Sequence, residues 1–336
     1  MKLLVIGGSL FVGRHLVEAA AARGDQITVF NRGQTTASWP QGVQLRRGDR
    51  KTDLSALATG TWDAVVDTCG YLPPDVARMA DALHGRVGRY AFVSSISVYA
   101  DFSRPNDERS ALARIDDTDT DTEVVDGRTY GPLKALCEAA VTARIGDART
   151  LLVRPGLIVG PHDPTQRFTY WPARVAQAAD GKPMLAPGQA ADPVQFIDVR
   201  DVVTFVLRVL DAGRSGPFNV TAAPGAQTMG AVLDACATVA GTRPQWRWVN
   251  AEQIERCGLQ LWTDLPLWLP PVGAHAAFAL ADTRAAQAAG LMTRPLAQTV
   301  ADTLAWYRSL PVGQQVFSKA GLSPARETQA LERLGL

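Results

Sequence analysis

The sequence predicts an α/β protein built on a doubly wound parallel sheet. Three observations carry this expectation. Short apolar runs recur at 3–6, 26–30, 64–67, 90–93 and 150–153, each with the length and composition of a strand buried on both faces. Stretches of helical periodicity separate several of them, at 14–23, 73–83 and 133–145. The first run passes through Gly7-Gly8-Ser9-Leu10-Phe11-Val12-Gly13 straight into the first helix, and strand, glycine turn, helix is the context in which a glycine motif acquires meaning.

That first unit is a dinucleotide-binding candidate. Backbone N–H groups at a helix start hold a pyrophosphate, helped by the helix dipole, and Gly13 would let the helix pack close to the sheet. The candidate cradle is Gly7, Gly8, Ser9, Leu10, Phe11 and Gly13. The second strand, 26–30, runs into Asn31-Arg32-Gly33. An acid there would bind a ribose 2′-hydroxyl, whereas an arginine accommodates a 2′-phosphate. With Arg32 present and no acid, NADP(H) is favoured and NAD(H) is the alternative.

A third short strand at 43–46 leads to Gly48-Asp49-Arg50, where Asp49 either meets an adenine edge or caps a helix at 54–58. The strand at 64–67 ends in Thr68-Cys69-Gly70-Tyr71, and Pro73-Pro74 opens the next helix. The strand at 90–93 ends in Ser94-Ser95-Ile96-Ser97. Ligands bind at the carboxyl ends of such strands. This nominates Asn31, Arg32, Asp49, Arg50, Thr68, Cys69 and Pro155 for the cofactor, and Tyr71 and Ser97 for the substrate. The loop 101–126 carries Asp116, Asp117, Asp119, Asp121, Glu123 and Asp126 and reads as a solvated surface.

Tyr130 and Lys134 stand four residues apart and share one helix face. Pro132 fits the first turn, where its missing N–H is no loss. An ammonium beside a phenol lowers the phenol's pKa, which makes Tyr130 a candidate proton donor or acceptor. Further on come a strand at 150–153, a Gly/Pro-punctuated loop at 157–164, a helix at 170–179, strands at 194–197 and 218–220, and a helix at 199–210. Helices at 228–240, 283–289 and 296–309 and a strand at 245–249 follow. The Trp- and Pro-rich stretch 261–271 reads as a cap over the cleft, a contact surface or ordinary packing. The cofactor-binding part is expected at 1–160 plus about 194–222, and a smaller substrate-binding region at about 161–193 and 223–336.

Composition narrows the classes. Hydrophobic residues make up 46% and charged residues 20%, as in a soluble globular protein. The formal net charge of +1 argues against a nucleic-acid or membrane partner. Cys69, Cys137, Cys236 and Cys257 are scattered without a CxxC pair, which suits a reducing cytoplasm. The four histidines show no metal spacing, so no metal is expected. No apolar run approaches the ~20 residues that cross a bilayer, and the apolar start is cut at once by Gly7-Gly8, unlike a signal peptide.

Several motifs together resemble the extended short-chain dehydrogenase/reductase family, which includes NAD(P)-dependent epimerases and dehydratases. They are Gly7, Gly8 and Gly13; Ser94-Ser95 with Val98-Tyr99; Tyr130 with Lys134; Arg154-Pro155-Gly156 with Val159-Gly160-Pro161; and Phe196-Ile197-Asp198-Val199 with Asp201. The resemblance covers most of the first 220 residues and implies a Rossmann-type domain. It also implies catalytic Ser95, Tyr130 and Lys134. Ser95 and Tyr130 would hold a substrate carbonyl or hydroxyl, and Lys134 would hold the cofactor ribose. His162, Gln166, Arg167 and Trp171 lie in and after the loop that faces substrate in that family. The small residues of the Tyr130 helix suit packing on a second copy, as in family dimers.

Two departures qualify this. Leu10 stands where the family has a central glycine, and the form GGxxFxG is similar to an atypical subgroup that includes the chloroplast stem-loop-binding proteins. Val194 stands where nucleotide-sugar members carry a phosphate-binding arginine, which favours a small carbonyl or hydroxyl compound as substrate. The expected activity is NAD(P)(H)-dependent oxidoreduction of a small molecule. The alternatives are a nucleotide-sugar epimerase or dehydratase, or an RNA-binding or scaffold protein on the same fold.

Overall fold

Leu3, Leu4, Val5 and Ile6 are all buried, because β1 (Lys2–Ile6) lies mid-sheet with both faces covered. The computed structural model describes residues 1–35, 38–115 and 123–336; Asp116, Asp117, Asp119 and Asp121 of the acidic loop lie outside them. From β1 the chain runs through α1 (Phe11–Ala22), β2 (Gln26–Asn31), β3 (Gln44–Arg47), β4 (Trp62–Asp67), α2 (Pro73–Leu83), β5 (Val87–Val93), α3 (Tyr130–Ile145) and β6 (Thr150–Pro155). Then come β7 (Leu157–Val159), α4 (Tyr170–Ala176), β8 (Pro183–Pro187), β9 (Phe196–Asp198), α5 (Val199–Asp211) and β10 (Gly216–Val220). The rest is α6 (Met229–Ala240), β11 (Gln245–Val249), α7 (Ala251–Arg256), α8 (Arg284–Ala288), α9 (Leu296–Ser309) and α10 (Pro324–Leu334).

Seven strands form one parallel sheet in the order β10-β6-β5-β4-β1-β2-β3. The order reverses at β1, so the crevice outside the carboxyl ends of β1 and β4 is the topological switch point. One face packs Leu3, Val5 and Val29 against Leu16 and Val17 of α1 and Val202 and Val206 of α5. The other packs Leu4, Ile6, Val65 and Phe92 against Met79 of α2 and Val141 of α3. A third core joins Phe168, Trp171, Met184, Leu233, Trp268 and Leu331 under the C-terminal elements.

The structure departs from the sequence reading in places. The expected helix at 54–58 is a single 3-10 turn, Ser55–Leu57. The expected loop at 157–164 opens with β7, which pairs with β9 in a separate two-stranded sheet. β8, with prolines at both ends, has no counterpart among the expected elements; it pairs in parallel with β11. The short helix α7 and the terminal helix α10 do carry sequence signals. Asn250 and Gln253 form a capping box, and Ser323 caps α10 with Pro324 at its start.

Charged groups buried at the sheet are paired. Arg154 donates to Glu138 through Nε (2.9 Å) and Nη2 (2.7 Å), and its Nη1 reaches the Tyr99 hydroxyl at 3.1 Å. Tyr99 in turn donates to Asn219 Oδ1 at 2.6 Å. The network ties α3 to β6 and β10. Removing one partner strands a buried charge, at a typical cost of ~3–5 kcal/mol. Glu138→Leu is therefore expected to lower unfolding stability in urea by that order. Glu138→Leu with Arg154→Met should recover most of the loss, and equal losses in the two variants would refute the pairing argument.

Candidate functional site

The first turn of α3 lies directly on the turn after β5. Asp126 Oδ1 accepts from the backbone N–H of Arg128 and Thr129 and from the Thr129 hydroxyl, which fixes the approach to the helix. A Cβ on Gly131 would overlap the Ser97 carbonyl oxygen, so only glycine permits this contact. Ser95 is extended, its Oγ accepts from the Ser97 N–H at 3.1 Å, and its hydroxyl donates to Ser97 Oγ at 3.0 Å. Ser94 Oγ is buried with no hydrogen-bond partner. The sequence-expected Ser95, Ser97 and Tyr130 are thus brought to one place.

Lys134 is buried, and its ammonium donates to Gly70 O at 2.7 Å and Val93 O at 2.8 Å. The rings of Phe92 and Tyr71 lie 4.8 and 4.9 Å from it, and that of Tyr130 at 5.9 Å. Burial pulls the Lys134 pKa down to about 8, with nearby thiols and Asp67 opposing. Tyr130 goes the other way. Burial, and then the Tyr71 phenol, push it up to about 12, while a hydrogen bond with Ser95 pulls it back. This corrects the expectation that the lysine lowers the phenol's pKa: the ammonium is engaged with two carbonyls, and desolvation dominates. Tyr71 lies 6.5 Å ring to ring from Tyr130.

At the glycine turn, a Cβ on Gly13 would come within 2.5 Å of the Gly8 nitrogen, so a glycine is required for α1 to start where it does. Leu10 is the N-cap and gives no side-chain acceptor, and its side chain is exposed. The first N–H groups of α1 therefore have no side-chain cap, as a pyrophosphate site needs. Asn31 Nδ2 donates to Ser9 Oγ at 2.8 Å and Gly7 O at 3.2 Å, bracing the turn. Arg32 is exposed. Arg47, which no sequence motif singles out, lies against the next residue: its Nε is 3.0 Å from where a Gly33 Cβ would be.

Other cofactor candidates have structural partners. Asp49 neither caps a helix nor stands free, since its Oδ1 accepts from the Lys51 N–H. Arg50 makes a two-pronged pair with the fully buried Asp67 (3.0 and 2.9 Å), which also accepts from the Tyr90 hydroxyl. These partners hold Asp67 below the usual carboxylate range against its burial. Thr68 donates to Ile6 O, and burial pushes the Cys69 thiol up to about 11. Pro155 is buried at the end of β6. Residues 7–13, 31–33 and 68–69 follow the carboxyl ends of β1, β2 and β4, which are neighbours in the sheet.

On the substrate side the results diverge. Trp171, expected as a substrate contact, is fully buried and donates to Pro266 O, so it is core. Val194 is likewise buried in the C-terminal core. His162 packs between His15 (5.7 Å) and Trp306 (5.2 Å), and burial, then Arg14 and His15, pull its pKa down to about 4. Gln166 is pinned to the backbone at 316–319. The guanidinium of Arg167 lies 5.6 Å over the Trp262 ring. Arg200 is held by Asp198 and Asp302. In the 261–271 stretch, Leu265, Leu267 and Trp268 are core, and Trp262 is partly exposed. A cavity of about 610 Å³ lies at the opposite end of the sheet, lined by Lys2, Gln26, Gln44 and Arg46, away from all of these groups.

A family model for NAD dependent epimerase/dehydratase proteins matches residues 3–221. The chain belongs to that family. It is 24% identical over 227 residues to the chloroplast stem-loop binding protein of 41 kDa b from Arabidopsis thaliana, a match covering 62% of this chain and 55% of that relative's length. Among solved structures, it resembles a UDP-glucuronic acid 4-epimerase from Bacillus cereus in complex with NAD, at 16% identity and a TM-score of 0.64 over 91% of this chain and 98% of the other. It also resembles a UDP-glucose 4-epimerase from Thermus thermophilus in complex with NAD, at 19% identity and a TM-score of 0.62 over 92% and 99%. At these identities the likeness establishes the shared fold. Among the described residues no helix is long and apolar enough to cross a membrane.

The Lys134 environment makes a pH prediction. Its folded pKa of about 8 lies below the ordinary 10.5, so above pH 8 the unfolded chain holds the proton that the folded chain releases. Wild type should therefore gain stability over Lys134→Met as pH rises from 8 to 10, by up to about 1.4 kcal/mol per pH unit. Urea titrations of both proteins across that range test the sign, and a flat difference would refute the buried-ammonium account.

Proposed function

We propose that this family member is an NAD(P)(H)-dependent enzyme acting at a carbonyl or hydroxyl carbon of a small molecule, with Tyr130 as the proton-transferring group. The observation that carries the reading is the packing of the Tyr130 helix start on the Ser95–Ser97 turn, at the carboxyl end of β5. Ser95 and Tyr130 orient the reacting oxygen, and Tyr130 gives or takes its proton. Lys134 fixes the two strand ends around the phenol and holds the ribose with its remaining donor capacity. Gly7, Gly8, Ser9, Leu10, Phe11 and Gly13 cradle the pyrophosphate, with Asn31 bracing them. Bound NAD(P) supplies the hydride donor or acceptor.

A second reading, a nucleotide-sugar epimerase, is favoured by what the two solved neighbours are named for. Both readings use Tyr130 in the same way. Tyr130→Phe keeps the ring and removes the proton, and is expected to lose ~10²–10⁴ in turnover while cofactor affinity stays within about twofold. Full turnover in the Phe variant would overturn the role.

For the cofactor, we infer a preference for NADP(H). Arg32 and Arg47 flank the end of β2, and residues 31–48 of the sequence contain no acid to take the ribose 2′-hydroxyl. Calorimetric titration should give NADP(H) about ten- to a hundredfold tighter than NAD(H), a ratio that collapses in Arg32→Ala with Arg47→Ala. Equal affinities in wild type would refute the preference.

A further inference from the structure

We propose that Tyr71 is a positioning residue for Lys134, its ring face holding the ammonium charged and fixed between the ends of β4 and β5. The loop that carries Tyr71 is set on both sides. A Cβ on Gly70 would lie 2.5 Å from Cε2 of the buried Phe92 ring and 2.7 Å from Val76 Cγ2, so only glycine lets the chain pass so close. Gly70 O accepts from the Lys134 ammonium at 2.7 Å. After Tyr71, the extended Leu72 leads straight into the two prolines that open α2.

Tyr71 is an aromatic residue that the hydrophobic cores do not use. Its side chain is 48% exposed and belongs to none of the apolar clusters. Among the described residues its ring meets two partners, the Lys134 ammonium at 4.9 Å and the Tyr130 ring at 6.5 Å. Both belong to the candidate proton-transfer site. An ammonium has three donors. Gly70 O and Val93 O take two. Among the described residues no oxygen meets the third, and the rings of Phe92 (4.8 Å) and Tyr71 stand around it. Phe92 is fully buried in the sheet, so Tyr71 is the one of the two that also reaches solvent. A cation over a ring face gains most where water is kept away, as it is from the buried Lys134.

The other groups that face Lys134 do not change charge where it does. Asp67 of β4 is buried, yet Arg50 holds it below the usual carboxylate range. Arg50 stays charged throughout. Burial pushes the Cys69 thiol up to about 11, and the Cys137 thiol and the Tyr130 phenol up to about 12. It raises the Tyr71 phenol as well. On α2, Asp75 faces Cys137 and lies 3.4 Å from Arg78. Lys134, pulled down to about 8 by burial, is the shifted group that titrates between these carboxylate and thiol ranges. Replacing the Tyr71 ring by an aliphatic side chain of similar bulk keeps the burial and removes the attraction, so the ammonium gives up its proton more easily.

The experiment reads the Lys134 pKa through stability. Urea unfolding is followed from about pH 6 to about pH 9.5 in wild type, Tyr71→Phe, Tyr71→Leu and Tyr71→Met, each with and without Lys134→Met. Within each pair the stability difference is flat at low pH and begins to rise at the folded pKa of Lys134, because above it the unfolded chain binds the extra proton. That break should stand near pH 8 in wild type and in Tyr71→Phe, which keeps the ring. It should fall by ~0.5–1.5 pH units in Tyr71→Leu and Tyr71→Met, which keep only the bulk. A break that stays in place in the two aliphatic variants, or that moves as far in Tyr71→Phe, overturns the proposal. The consequence for the cofactor rests on the proposed function and is read separately, by NADH fluorescence titration over the same range. NADH affinity should fall with rising pH from the same break in each variant. A displaced stability break together with an NADH affinity indifferent to pH and to Lys134→Met upholds the hold of Tyr71 on the ammonium and overturns the role of Lys134 at the ribose.

Discussion

A buried ammonium holds the site together. Lys134 has left water, and that costs several kcal/mol unless its donors are met. Gly70 O, at the end of β4, and Val93 O, at the end of β5, meet two of them, while Phe92 and Tyr71 present ring faces. One residue on α3 thus fixes where two neighbouring strands stop relative to the helix. The approach is close because Gly131 has no side chain to keep Ser97 away. Ser95, Tyr130 and Tyr71 inherit their positions from these contacts.

The other charges follow a similar rule of mutual satisfaction. Arg154 with Glu138, Arg294 with Asp201, Arg174 with Glu327 and Arg326 with Asp264 each join segments far apart in sequence. The last two tie α10 to α4 and to the strap before Trp268. A chain of net charge near zero has consumed much of its charge internally in this way. Against that background Arg32, Arg47 and Arg167 differ: among the described residues their side chains form no hydrogen bond or ion pair, Arg47 lying against Gly33 and Arg167 over Trp262.

Much of the sheet was legible because its signals are local. Apolar runs report strands buried on both faces, a glycine turn reports a helix start, and spacing four reports a shared helix face. Tyr130 and Lys134 were found that way, and Glu138, four further on, carried the same signal. What was illegible depends on partners distant in the chain. Nothing near Trp171 says that its indole donates to Pro266, and nothing near Arg50 says that it is bound for Asp67. Asn31 reads as a cofactor contact, but it spends its amide on Ser9 and Gly7. The sign of the Tyr130 shift was missed for the same reason. Spacing places a cation near the phenol, but only the fold shows that two carbonyls have already claimed it.

That sign bears on chemistry. A phenol at about 12 is fully protonated near neutral pH. A general acid need not be acidic relative to water's pH; it must be more acidic than the group it serves. An alkoxide formed at a carbonyl carbon is about as basic as hydroxide, whose conjugate acid lies near 15.7, so even this phenol gives up its proton downhill. In the proposed reaction the resting phenol is therefore the form that donates to a developing oxyanion. Abstraction from a hydroxyl, the reverse step, requires the phenolate, which burial opposes and a nearby positive charge favours. Lys134 is protonated below about pH 8 and lies 5.9 Å from the ring, with two of its donors already taken by Gly70 O and Val93 O. In the proposed reaction, forming the phenolate is the step that burial opposes, so proton abstraction carries the larger electrostatic demand.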